Sequence, residues 1–107
     1  MKQTKKARLV AAGWVVGDAA QFLRLSPDEQ RFVELKLALA TGVRTLRERR
    51  GLTQAALAKH LGSSQSRVAK MEAGDASVSV DLMMRSLLRI GATAAEIAKL
   101  IRKAEAA

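Results

Sequence analysis

Between Ser64 and Lys70 the chain reads SQSRVAK. Wound into a helix, this stretch puts Gln65, Ser66, Ala69 and Lys70 on an outward side and Val68, with Met71 just beyond, on an inward one. The outward groups are hydrogen-bonding tools. A glutamine amide can pair bidentately with adenine, a serine hydroxyl can donate to or accept from several base edges, and a lysine ammonium reaches guanine O6 and N7. Ser64 stands at the cap of the same helix, and Arg67 beside it is placed for a phosphate. This is the chemistry of recognition. No comparable set assembles for bond making. His60 is the only histidine and the chain has no cysteine, so a solvent-facing helix position is expected for it and no metal site. Ser63, Ser64 and Ser66 lack an oriented base and an oxyanion framework. Asp18, Asp28, Glu29, Glu34, Glu48, Glu72, Asp75 and Asp81 read as caps, first-turn acids and ion-pair partners. No catalytic residues and no cofactor are expected, and Met71, Met83 and Met84 read as filler for a core.

The elements that position these groups are legible from their punctuation. Thr53 caps a helix over Gln54 to Leu61, which Gly62 ends; Ser64 caps the next, from Gln65 to about Ala73, before Gly74. Residues 53–74, TQAALAKHLGSSQSRVAKMEAG, therefore spell a helix, a short Gly-containing turn and a second helix. Leu57, Ala58 and Leu61 on the first can pack against Val68 and Met71 on the second. Such helix-turn-helix pairs lay their second helix in the major groove of duplex DNA. Upstream, Ser26-Pro27-Asp28-Glu29 has the capping-box pattern, and Phe32, Leu35, Leu39, Val43 and Leu46 mark one face of a helix that stops at Gly51. Gly42 within it marks a bend or a break. Downstream, Asp81 or Ser79 opens a helix to Ile90, and Thr93 opens a last one from Ala94 to about Ala104. On that last helix Ile97, Leu100 and Ile101 form a stripe for the core, for a dimer contact, or for both. Before residue 26 lie a basic arm over 1–8, an apolar stretch from Leu9 to Gly17 that is a short strand or an irregular segment, and a short helix over Ala19 to Leu25 capped by Asp18. The expected organisation is thus an amino-terminal extension over 1–25 and an all-α globule over 26–107.

Composition supports this reading. The chain of 107 residues suffices for one domain that hides roughly 65% of its unfolded surface. Its aromatics are only Trp14, Phe22 and Phe32, too few for a base-stacking platform. Trp14 is expected in the domain's own packing or in a protein interface. Nineteen Lys and Arg against ten Asp and Glu leave +9, a balance that points to a polyanion. Between residues 44 and 70, Arg44, Arg47, Arg49, Arg50, Lys59, Arg67 and Lys70 face Glu48 alone, whereas 71–107 is balanced, so the charge gathers around the helix pair and the amino-terminal arm. The longest apolar stretch, Leu9 to Val16, is too short to span a membrane, and Asp18 follows it closely. A cytoplasmic location is expected.

Residues 46–74, LRERRGLTQAALAKHLGSSQSRVAKMEAG, resemble the Cro/C1-type (Xre) helix-turn-helix family of phage repressors and bacterial regulators, and a looser resemblance runs from about Val43 to Ala104. It implies a five-helix, lambda-repressor-like fold that binds an operator in double-stranded DNA as a homodimer and represses transcription of its own operon. It implies further that Gln54 contacts a phosphate, that Ser64, Gln65, Ser66 and Lys70 reach bases, and that Arg47 and Glu72 form a structural ion pair. Arg67, Arg49 and Arg50 are expected at phosphates, and Ile97, Leu100 and Ile101 at the dimer interface. The lead-in FLRLSPDEQRFVELKLALATGV, with Gly13-Trp14 ahead of it, is similar to that of small chromosomal Xre regulators, including HigA-type antitoxins. That similarity implies an alternative role, silencing a protein toxin covered by residues 9–25 or by the last helix. A basic arm acting alone, on DNA without sequence preference or on an anionic membrane surface, is the third reading.

Overall fold

A computed structural model of the chain describes residues 24–106. The basic arm, the Leu9–Gly17 segment, nearly all of the expected short helix, Trp14 and Phe22 lie outside the described residues. Among the described residues, from Ser26 on, five helices follow one another: α1 (Pro27–Arg49), α2 (Gln54–Leu61), α3 (Gln65–Glu72), α4 (Val80–Ile90) and α5 (Ala94–Ala106). There is no strand among the described residues.

Each helix starts where a short polar side chain satisfies its free amide groups. Ser26 Oγ accepts from the Glu29 N–H while the Glu29 carboxylate accepts from the Ser26 N–H, a complete capping box with Pro27 at the first helical position. Thr53, Ser64 and Ser79 cap α2, α3 and α4 through single side-chain acceptors. Thr93 and Glu96 form a second capping box at α5, with bonds of 3.1 and 2.9 Å. Its Thr-x-x-Glu spacing stands in the sequence as plainly as the first. Between α2 and α3 the turn needs a left-handed residue, and Gly62 supplies it at φ +66°.

α1 is the central element, with α3, α4 and α5 all packed against it, while α2 packs on α3. The side chains that meet at the centre are Val43 from α1, Leu57 from α2, Val68 and Met71 from α3, and Met83 and Leu87 from α4. Ala58 is buried where α2 crosses α3, and Met84 is only partly buried against the same core. Lys36 is buried too, and its ammonium donates to the Ala76 carbonyl at 3.2 Å, pinning the loop after α3 onto α1. Burial lowers its pKa and the Asp75 carboxylate partly opposes that.

The apolar spacing of α1 marks a helix face that is buried over only part of its length. Phe32 and Leu35 continue the helical spacing of the core residues, yet Phe32 is 55% exposed and Leu35 only half-buried. The buried face begins at Lys36 and runs through Leu39, Ala40, Val43 and Leu46. A 23-residue helix spans about 35 Å, more than the short helices packed on it can cover, so periodicity continues past the point where burial stops. Gly42 does not break the helix, which is continuous from Pro27 to Arg49. It is buried, and a Cβ there would collide with the Leu100 side chain of α5, so the glycine allows a close helix crossing.

Replacing Gly42 with Leu is therefore expected to destabilise the fold by about 1–3 kcal/mol through overpacking. The loss should shrink in a Leu100→Ala background, and thermal melts of the two single variants and the double variant would measure the coupling. A second expectation concerns acid. Hydrogen bonds from Ser26, Ser77 and Thr93 hold the carboxyls of Asp28, Asp75 and Glu96 below their ordinary values. Depressed carboxylates stabilise the fold fully above the unfolded values, and that stabilisation is lost as pH falls through the depressed ones. Melting midpoints should hold level between about pH 5 and about pH 6 and decline below about pH 4.

Candidate nucleic-acid interface

The site is built on the relation between α2 and α3, which a single carboxylate fixes. Glu72, in the last turn of α3, takes a bidentate bond from Arg47 of α1: Nε at 2.5 Å and Nη2 at 3.1 Å. The two side chains keep only 12% and 4% of their surface, so this pair is buried. The remaining Arg47 nitrogen donates to the Leu52 carbonyl at 2.7 Å, in the link between α1 and α2. Gln54, the first residue of α2, donates to Glu72 Oε1 at 3.1 Å. One carboxylate thus joins the end of α1, the start of α2 and the end of α3. The bond to Glu72 raises the Arg47 pKa against the desolvation that would lower it, so the guanidinium stays charged.

With its inner side held this way, α3 turns Gln65, Ser66, Arg67 and Lys70 to solvent, while Val68 and Met71 point into the core. None of these four outward side chains has an ion-pair partner among the described residues. Ser64 is exposed as well; its oxygen accepts the Arg67 N–H at 3.1 Å, which leaves its hydroxyl proton and one lone pair. Gln54 keeps one side-chain N–H beyond the bond to Glu72.

The other expected residues lie elsewhere. Arg49 stands in a groove between α1 and α5 with Glu96, Lys99 and Lys103. Arg50 packs beside Gly91, where a Cβ would touch its guanidinium. The charges of both arginines act on the Glu96 carboxyl in the first turn of α5. Ile97 is buried in the core; Leu100 lies over Gly42, and it and Ile101 are partly buried. His60 is exposed, and its Nε2 is 3.2 Å from the Arg89 carbonyl. No group of three His, Cys, Asp or Glu residues that could hold a metal ion occurs among the described residues. No helix among them is long and apolar enough to cross a membrane. The Gln54–Glu72 and Arg47–Leu52 bonds had no sequence signal, because each depends on how three helices meet.

A family model described as a helix-turn-helix domain matches residues 38–100, more than half of the chain, from the buried part of α1 into α5. No curated protein and no solved structure matches the chain.

Replacing Arg47 with Met keeps much of the side chain's bulk and leaves Glu72 buried without its countercharge. The expected loss is about 3 kcal/mol, the low end for breaking a buried pair. A Glu72→Gln change in the Arg47→Met background should recover part of it, as denaturant titration of the three proteins would show.

Proposed function

This chain belongs to the family of helix-turn-helix domains, and we propose that it is a sequence-specific repressor that binds duplex DNA upstream of its own gene. The observation that carries the proposal is the division of labour on α3. Its inner side is spent on the core and on the Arg47–Gln54–Glu72 cluster, while its outer side offers an exposed amide, hydroxyl, guanidinium and ammonium with no side-chain hydrogen bond or ion pair among the described residues. In this reading α3 lies in the major groove, where Gln65, Ser66 and Lys70 meet base edges and the Ser64 hydroxyl adds one short-range donor. Gln54, through its free N–H, and Arg67 flank the groove as phosphate contacts. Arg49 and Arg50 add positive field from beside α5.

One eight-residue helix covers only a few base pairs. Useful specificity therefore requires two copies on half-sites about 34 Å apart. The partly exposed Leu100 and Ile101 on α5 are the surface proposed for that pairing.

The test is titration of a labelled duplex from immediately upstream of the gene, with a scrambled duplex as control, at two salt concentrations. Specific binding should exceed binding to the scrambled duplex by at least about a hundredfold. Equal affinities that fall together as salt rises would leave only the attraction of the net charge. Gln65→Ala should relax base preference at one position in each half-site and cost about 1–3 kcal/mol; an unchanged ranking of sites would sink the assignment of the reading face.

A further inference from the structure

On the flank of α3 that carries Arg67, away from the Arg47–Glu72 pair, a cleft of about 500 Å³ opens between the α2–α3 turn and α4. Its apolar lining comes from Leu61, Met71 and Leu82, and its cations are Arg67, Arg85 and Arg89. Leu88 stands in the same lining and is 56% exposed. Leu88 is thus an exposed leucine in a cleft that three arginines also line. Arg67 and Arg89 have no ion-pair partner among the described residues. Arg85 reaches Asp81 at 3.1 Å, but both side chains are about three-quarters exposed, so that pair is easily exchanged.

Three occupants offer negative charge or apolar surface, and the chemistry separates them. A DNA backbone would satisfy the arginines and leave Leu88 and the apolar lining uncovered. A second copy packed about a twofold axis would set the same three arginines against each other, in a chain that already carries +9. An acidic protein segment with an apolar side chain satisfies both halves of the cleft, in the manner of a hydrophobic anchor surrounded by charge pairs.

We propose that this cleft docks an acidic segment of another protein, with an aliphatic or aromatic anchor over Leu88 and carboxylates on Arg67, Arg85 and Arg89. Because Arg67 also serves the DNA-facing side, the docked segment competes with duplex binding. That consequence rests on the DNA-binding reading; the docking itself does not.

The test uses the full chain and two labelled synthetic helical peptides of about twelve residues, rich in Glu, one with Leu at every third or fourth position and one with Ser there. The Leu peptide should bind at least about tenfold more tightly than the Ser peptide by fluorescence anisotropy. Leu88→Ser and Arg89→Glu should each lower its affinity about tenfold, while Lys103→Glu on α5 changes it less than about twofold. Both cleft positions are exposed, and melting curves check that the variants fold. Amide shifts of the unsubstituted protein should move at 61–67 and 82–89 when peptide is added. Equal binding of the two peptides, or shifts spread over α5, would overturn the proposal in favour of the net charge. If Arg85→Glu and Arg89→Glu weakened duplex binding as much as Arg67→Glu does, the cleft would belong to DNA. If Leu88→Ser converted a dimer to a monomer in sedimentation, it would belong to a second copy. Failure of duplex binding with peptide docking intact would refute the DNA reading alone.

Discussion

The arrangement of the domain depends on one buried carboxylate. Glu72 receives Arg47 and Gln54, and Arg47 also holds the Leu52 carbonyl. Apolar packing between α2 and α3 is non-directional and tolerates small rotations. The planar fork of a guanidinium on a carboxylate does not, because both of its bonds must be met together. The pair is thus an angular constraint as well as a stabilising contact. It sets α3 relative to α1, the longest and most deeply packed helix. The Lys36–Ala76 bond repeats the device on a smaller scale, anchoring the loop that leaves α3 to the same helix.

Much of the fold was legible in the sequence because its boundaries are local. Ser26, Thr53, Ser64 and Thr93 each act on an amide three residues away, and Gly62 and Gly91 close their helices by backbone conformation alone. The pairing of Leu57 and Ala58 with Val68 and Met71 followed from helical spacing plus a short turn. The Arg47–Glu72 pair came from resemblance to a family. Spacing could not supply it, since the two residues meet only when α1 and α3 are already packed.

What was not legible is tertiary. Phe32 has the period of the core without its burial, because periodicity records a helix face and not where its neighbours end. Gly42 looked like a breaker, since its reason, the Leu100 side chain, lies on a helix more than fifty residues away. Gln54 was read as a phosphate ligand from family pattern alone; the structure gives it a first duty on Glu72. Arg49 and Arg50 belong to the basic run that drew attention to the helix pair, yet they stand beside α5. The cleft around Leu88 joins residues from 61 to 89, and no linear pattern announces it.

The outward side chains of α3 are exposed. Among the described residues Gln65, Ser66 and Lys70 make no side-chain hydrogen bond or ion pair, whereas Ser64 caps the helix and Glu72 orients it. The exposed and the fold-holding residues are therefore different letters of the same eight-residue helix. If α3 reads DNA as proposed, a lineage carrying this scaffold could change its target through Gln65, Ser66 and Lys70 without disturbing the cap at Ser64 or the bond at Glu72. On that reading, gene duplicates could separate their targets as fast as those three positions change.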